Sequence, residues 1–281
     1  MRNETLKPYA LALLAALVAC FAAGSVLDLT ISQALYNAAS PLARAVEPLG
    51  YAPLAVTLSV VGATSARGSR DGEKRLPAWV LLAVLSFVLT AYCLFRGLRS
   101  EETGVPGTVV ALVAGAAVNA LVVRATSAAD PRELRRWALG AFLALLAQFL
   151  IVNVLLKPVF CRPRMRAVAA TPGLEYHAWW QIDTAAKQVF MAQGLAADAF
   201  ASFPSGHVAN AASLLALAWL PFGDKCKDGA ENRAHAQRIV FWACAAFTAV
   251  IALARIVAGA HFLTDVSVGF AVQLLAVFLA L

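Results

Sequence analysis

Apolar residues in this chain come in blocks long enough to cross a bilayer, and its charges are largely confined to the short stretches between them. A span needs roughly 20 apolar residues. Eight blocks approach that length, at about residues 9–26, 50–66, 77–97, 105–124, 136–156, 206–221, 238–256 and 262–281. The second and sixth are short. Hydrophobic residues make up 61% of the chain and charged residues only 14%, far from the balance of a soluble domain. The expected fold is therefore all-α: a polytopic transmembrane helical bundle of about eight spans. Neither a repeat nor a linker interrupts it, so residues 1–281 read as a single membrane-embedded domain.

The basic residues orient the bundle, because Lys and Arg are retained in short cytoplasmic segments. With the N-terminus inside, fourteen of the 23 basic residues fall on the cytoplasmic side, among them Arg67, Arg70, Lys74 and Arg75, and Lys225, Lys227, Arg233 and Arg238. Five of the remaining nine, Lys157, Arg162, Arg164, Arg166 and Arg255, cluster near three stretches discussed below. The net charge of +7 thus reports topology and an anion site. No basic stripe interleaved with aromatics suggests nucleic acid. The five cysteines, Cys20, Cys93, Cys161, Cys226 and Cys244, show no metal spacing and suggest no disulfide framework. Leu17-Val18-Ala19-Cys20 resembles a lipoprotein cleavage box and is read here as part of the first span.

Between spans, residues 30–47 have the pattern of a helix lying at the outer interface. The loops near 67–76, 124–136 and 222–237 are polar connections. The long connection from about 157 to 205 carries Tyr176, His177, Trp179, Trp180 and Lys187 and should lie at headgroup level above the site, with a short helix near 183–197.

Three stretches bring chemistry to span ends, and the eight-span count puts all of them on one face. His261 and Asp265 are four apart, so on a helix the carboxylate can accept a hydrogen bond from one imidazole nitrogen and leave the other to attack. Pro204-Ser205-Gly206-His207 opens a span. Its helix start offers N–H groups to a phosphate, Ser205 adds a hydroxyl, Gly206 permits close approach, and His207 stands ready to protonate a departing oxygen. Lys157, Arg164 and Arg255, with Arg162 as an accessory, supply positive charge that matches the several oxygens of a phosphoryl group. Each of these cations alone is a common snorkelling residue; their combination is what points to phosphate.

These residues resemble the type 2 phosphatidic acid phosphatase superfamily, integral-membrane lipid phosphatases that share a helical core with vanadium haloperoxidases. Its motifs are Lys-x6-Arg-Pro, Pro-Ser-Gly-His and Ser-Arg-x5-His-x3-Asp. Lys157 and Arg164 fit the first, Pro204 to His207 the second, and Arg255, His261 and Asp265 the third. The match covers residues 157–265 and departs at Met165, where the family has proline, and at Ala254, where it has serine. The usual core has six spans, so two N-terminal spans within about residues 1–100 are extra.

The resemblance implies that His261 attacks phosphorus to form a phosphohistidine, that Asp265 orients it, and that His207 protonates the leaving oxygen and then activates water. Lys157, Arg164, Arg255, Ser205 and the Gly206 amide would hold the phosphoryl oxygens, with no metal and no cofactor. The implied substrate is a lipid phosphate or diphosphate held by the bilayer, such as an isoprenoid diphosphate or a phospholipid phosphate. The implied location is the extracytoplasmic face of a bacterial inner membrane. A lipid phosphotransferase and a non-catalytic transporter or scaffold on the same bundle remain as alternatives, and the oligomeric state is left open.

Overall fold

The computed structural model describes residues 5–68, 76–99, 104–222 and 229–281. Among them there is no strand. Residues 69–75 of the loop expected at 67–76, and 223–228 of the loop expected at 222–237, with Cys226, lie outside the described residues, while 229–237 belong to a helix rather than to a loop. The remaining four cysteines are free thiols.

The helices in chain order are α1 (Lys7–Leu35), α2 (Pro41–Val46), α3 (Ala52–Gly68), α4 (Leu76–Arg99), α5 (Gly104–Ala125), α6 (Pro131–Phe149), α7 (Lys157–Phe160), α8 (Met165–Ala170), α9 (Thr184–Ala192), α10 (Gly206–Ala212), α11 (Gly229–Val257) and α12 (Leu263–Ala280). Their starts follow ordinary capping chemistry. Asp130 accepts a hydrogen bond from Arg132 N at 2.8 Å ahead of Pro131, and Asp183 caps α9 through Ala186 N at 2.8 Å. Among the described residues, seven helices, some combining neighbouring elements, are long and apolar enough to cross a membrane, as a polytopic helical bundle requires.

Two expected elements take a different form. α1 continues to Leu35, absorbing the first third of the expected interfacial helix; the rest becomes α2 and a 3-10 turn at Glu47–Leu49. Ser32, within that stretch, and Asp28, just before it, are buried, and α1 packs along α12. The expected span at 206–221 is α10 followed by a 3-10 segment, Ser213–Trp219. At 1.5 and 2.0 Å per residue it measures roughly 24 Å, short of the roughly 30 Å hydrocarbon core. Being apolar and small on all sides, it sits at the centre of the bundle: Val208, Ala209, Ala211, Ala212 and Leu215 are fully buried. Trp137 Nε1 donates to Ala216 O at 2.9 Å, and the Thr57 and Ser213 hydroxyls pair at 2.9 Å, so neighbouring helices satisfy its polar groups.

The connection from α7 to α10 folds over one end of the bundle on a small core of Ala167, Leu174 and Phe200. Its short helix, α9, falls where the sequence predicts one. Trp179 turns inward, stacking on Phe203 at 6.1 Å and donating to Ser25 Oγ of α1 at 3.0 Å, while Trp180 remains exposed.

Candidate active site

The three stretches meet at the covered end of the bundle, joined by main-chain hydrogen bonds. Ser202 N donates to Arg162 O at 3.1 Å, Arg164 N to Ala199 O at 2.8 Å, Arg166 N to Gly259 O at 2.8 Å, and Ser205 N to Asp265 O at 3.0 Å. Local geometry delivers the side chains. After α6, residues Leu150–Leu156 widen into π turns, a distortion that recurs at functional sites, and Asn153 and Lys157 both reach one cavity. Cys161 then adopts a left-handed conformation (φ 45°), ends α7 and reverses the chain toward Arg162 and Arg164.

His261 lies between α11 and α12 and is fully buried. Its Nδ1 is 2.6 Å from Ser202 O. A carbonyl can only accept, so Nδ1 carries the proton and Nε2 presents a lone pair. That Nε2 has no hydrogen-bond partner among the described residues. Burial, reinforced by the charges of Arg164, Arg255 and Lys157, holds the His261 pKa well below the ordinary histidine value. At neutral pH the ring is an uncharged base with one nitrogen available.

The direct Asp265–His261 hydrogen bond expected from helical spacing is not formed: Asp265 Oδ2 lies 3.8 Å from Nδ1. α12 begins at Leu263, so His261 is outside the helix and the i, i+4 rule does not reach it. Asp265 instead accepts from Ser202 Oγ at 2.5 Å, Phe262 N at 2.8 Å and Arg162 Nη1 at 2.6 Å. Arg162, expected beside the phosphate, is buried and committed to Asp265 and Asp28. It belongs to the scaffold behind His261.

On the other side, a cavity of about 680 Å³ is lined by Lys157, Arg164, Asp198, Gly206, His207, Asn153 and Asn210. It continues between helices along Leu54, Leu58, Leu89, Phe142, Leu145 and Phe149. His207 lies within electrostatic reach of His261, Lys157, Arg164 and Arg255. Two glycines make this possible. A Cβ on Gly50 would sit 2.3 Å from His207 Nε2, and one on Gly206 would sit 3.2 Å from Lys157 Nζ. Asn210 Nδ2 holds Gly50 O at 3.0 Å. Arg164 pairs with Asp198 at 2.7 Å, and Glu47 stands 3.5 Å from Arg255. Ser205 is buried at the cap of α10, its Oγ 3.4 Å from Val208 N.

The structure therefore groups Lys157, Arg164, Ser205, Gly206, His207, Arg255, His261 and Asp265, and it places Arg162 behind His261, against Asp265 and Asp28. Met165 occupies the first position of α8, where proline is at home, so the departure keeps the turn. Ala254 is buried in α11. Sequence reading missed Ser202 and Gly50, which carry no local signal. It also missed Asp28, whose signal was an acid in an apolar helix.

Among curated proteins and among solved structures, no match is found to this chain. A family description, the PAP2 superfamily, matches residues 137–281, slightly over half of the sequence and all three stretches. With a bare imidazole nitrogen, a second histidine and three cations converging at one end of the bundle, the chain belongs to the PAP2 superfamily, whose phosphatase-type activity acts on phosphate esters.

Proposed function

We propose that this protein hydrolyses a lipid phosphate or diphosphate through a phosphohistidine intermediate, without metal. The observation that carries the reading is the cavity: its polar part has Lys157, Arg164 and His207, and its apolar part runs between membrane-spanning helices. Such a shape suits a phosphorylated head whose hydrocarbon tail stays in the membrane.

His261 Nε2 attacks phosphorus as the bond to the lipid oxygen breaks, and His207 gives that oxygen its proton. His207 then takes a proton from water, which attacks the phosphohistidine, releasing phosphate and restoring His261. Lys157, Arg164, Arg255, the Ser205 hydroxyl and the Gly206 amide balance charge on the phosphoryl oxygens as the transition state forms. Asp265 acts on His261 through the Ser202 carbonyl segment rather than by direct contact. The basic-residue distribution supports placing this end of the bundle on the extracytoplasmic face of a bacterial inner membrane.

The test is phosphate release by the purified protein in mixed micelles, with EDTA present, from isoprenoid diphosphate, phosphatidate, phosphatidylglycerophosphate and lipid A phosphate. Release from one of them, lost in His261→Ala, and an acid-labile ³²P adduct on His261 are expected. Phosphate appearing on a second lipid instead of in solution would replace hydrolysis with transfer.

A further inference from the structure

We propose that Asp28, on α1 and outside the family-matched segment, is a positioning residue that sets the tautomer and basicity of His261 through Arg162, Asp265 and Ser202. The path is continuous. Asp28 Oδ2 accepts from Arg162 Nη2 at 3.0 Å, Arg162 Nη1 donates to Asp265 Oδ1 at 2.6 Å, and Asp265 Oδ2 accepts from Ser202 Oγ at 2.5 Å. The carbonyl of that same Ser202 accepts the His261 Nδ1 proton at 2.6 Å. Asp28, Arg162, Ser202, His261 and Asp265 are all buried.

Two features make Asp28 more than filler. It accepts from Thr264 N at 3.0 Å and from the Thr264 hydroxyl, so α1 supplies the cap for an otherwise unmet N–H in the first turn of α12. It also divides the charge of Arg162. With both carboxylates present, one guanidinium serves two anions, and Asp265 keeps part of its negative field for the imidazole 3.8 Å away. Without Asp28, Arg162 turns its full charge on Asp265, the carboxylate's hold on the Ser202 hydroxyl weakens, and the Ser202 carbonyl is less firmly placed before Nδ1. Tyr176, whose hydroxyl accepts from Arg162 Nη2 at 3.0 Å, and His177, whose carbonyl accepts from Arg162 Nε at 2.8 Å, complete the surroundings without supplying a negative charge.

The inference rests on the phosphatase reading for its kinetic arm alone, so the experiment has two arms. The full chain is labelled with ¹⁵N-histidine in detergent; it has only four histidines, and His261→Ala assigns the resonance. The wild type should show His261 as the neutral Nδ1–H tautomer. Asp28→Asn should show mixed tautomers, with partial return in Asp28→Glu. In phosphatidate micelles, Asp28→Asn should lower kcat at least tenfold and leave KM within twofold. If Asp28→Asn does not fold, Ser202→Ala, which removes the hydroxyl but leaves the carbonyl, should produce the same tautomer mixing. An unchanged tautomer and unchanged kcat in a folded Asp28→Asn, or an unchanged tautomer in Ser202→Ala, would overturn the proposal. A wild type that shows the tautomer but releases no phosphate would count against the phosphatase reading and leave the positioning role in place.

Discussion

The two sides of His261 are built on opposite terms. Behind it, Arg162 and Asp265 have side chains with no exposure and hydrogen bonds of 2.5–3.0 Å to fixed partners. In front, Arg164 is held by Asp198, whose side chain is 62% exposed, and Arg255 faces the half-buried Glu47. Ion pairs of the first kind are costly to break and fix a geometry. Those of the second kind exchange readily with solvent and ligand. On the proposed mechanism the nucleophile is held rigidly while the anion-binding groups carry replaceable partners, the division a site needs when its substrate arrives with its own negative charge.

The sharpest way to break this comparison is to remove the charge at its back. Arg162→Ala leaves two buried carboxylates without their cation and should destabilise the fold by about 3–5 kcal/mol, read by thermal unfolding in detergent. Gly50→Ala comes next: its methyl collides with His207 and should lower phosphate release by about 100-fold or more, as loss of a general acid–base does, while overpacking costs about 1–3 kcal/mol of stability.

A third test uses pH. Because the folded-state pKa of His261 is depressed, the unfolded chain binds the proton more tightly. The stability tied to neutral His261 should be present in full above about pH 6.5 and fall as pH drops below that unfolded-state value. His261→Gln should make that limb shallower, leaving the share that His207 contributes. The smallest effect is expected in front. Asp198→Asn removes the charge of one mostly exposed partner of Arg164 and should lower KM up to about fivefold with kcat unchanged, since such pairs are worth roughly 0–1 kcal/mol. A collapse of kcat would show that Asp198 does more than occupy the arginine.

Most of the bundle and the front of the site were legible because their signals are local. Long apolar blocks announce helices, and Pro204 to His207 places its groups within one turn. The back was not. Asp28 and Arg162 are 134 residues apart, and nothing in either neighbourhood announces the other. The Asp265–His261 spacing misled for a related reason: four residues imply a shared face only if both lie in the helix, and α12 starts two residues after His261. The central position of the sixth span was not legible because hydropathy measures apolarity, and a helix enclosed by other helices is as apolar as one facing lipid.

Asp28 ties α1 to α12, and this has a consequence for biogenesis. A ribosome makes α1 well before α12, so the acid must wait in the membrane for the helix it caps and the arginine it holds. Until α12 inserts, no partly synthesised chain can have a competent His261. On the proposed mechanism, dephosphorylation would therefore begin only once the bundle is closed.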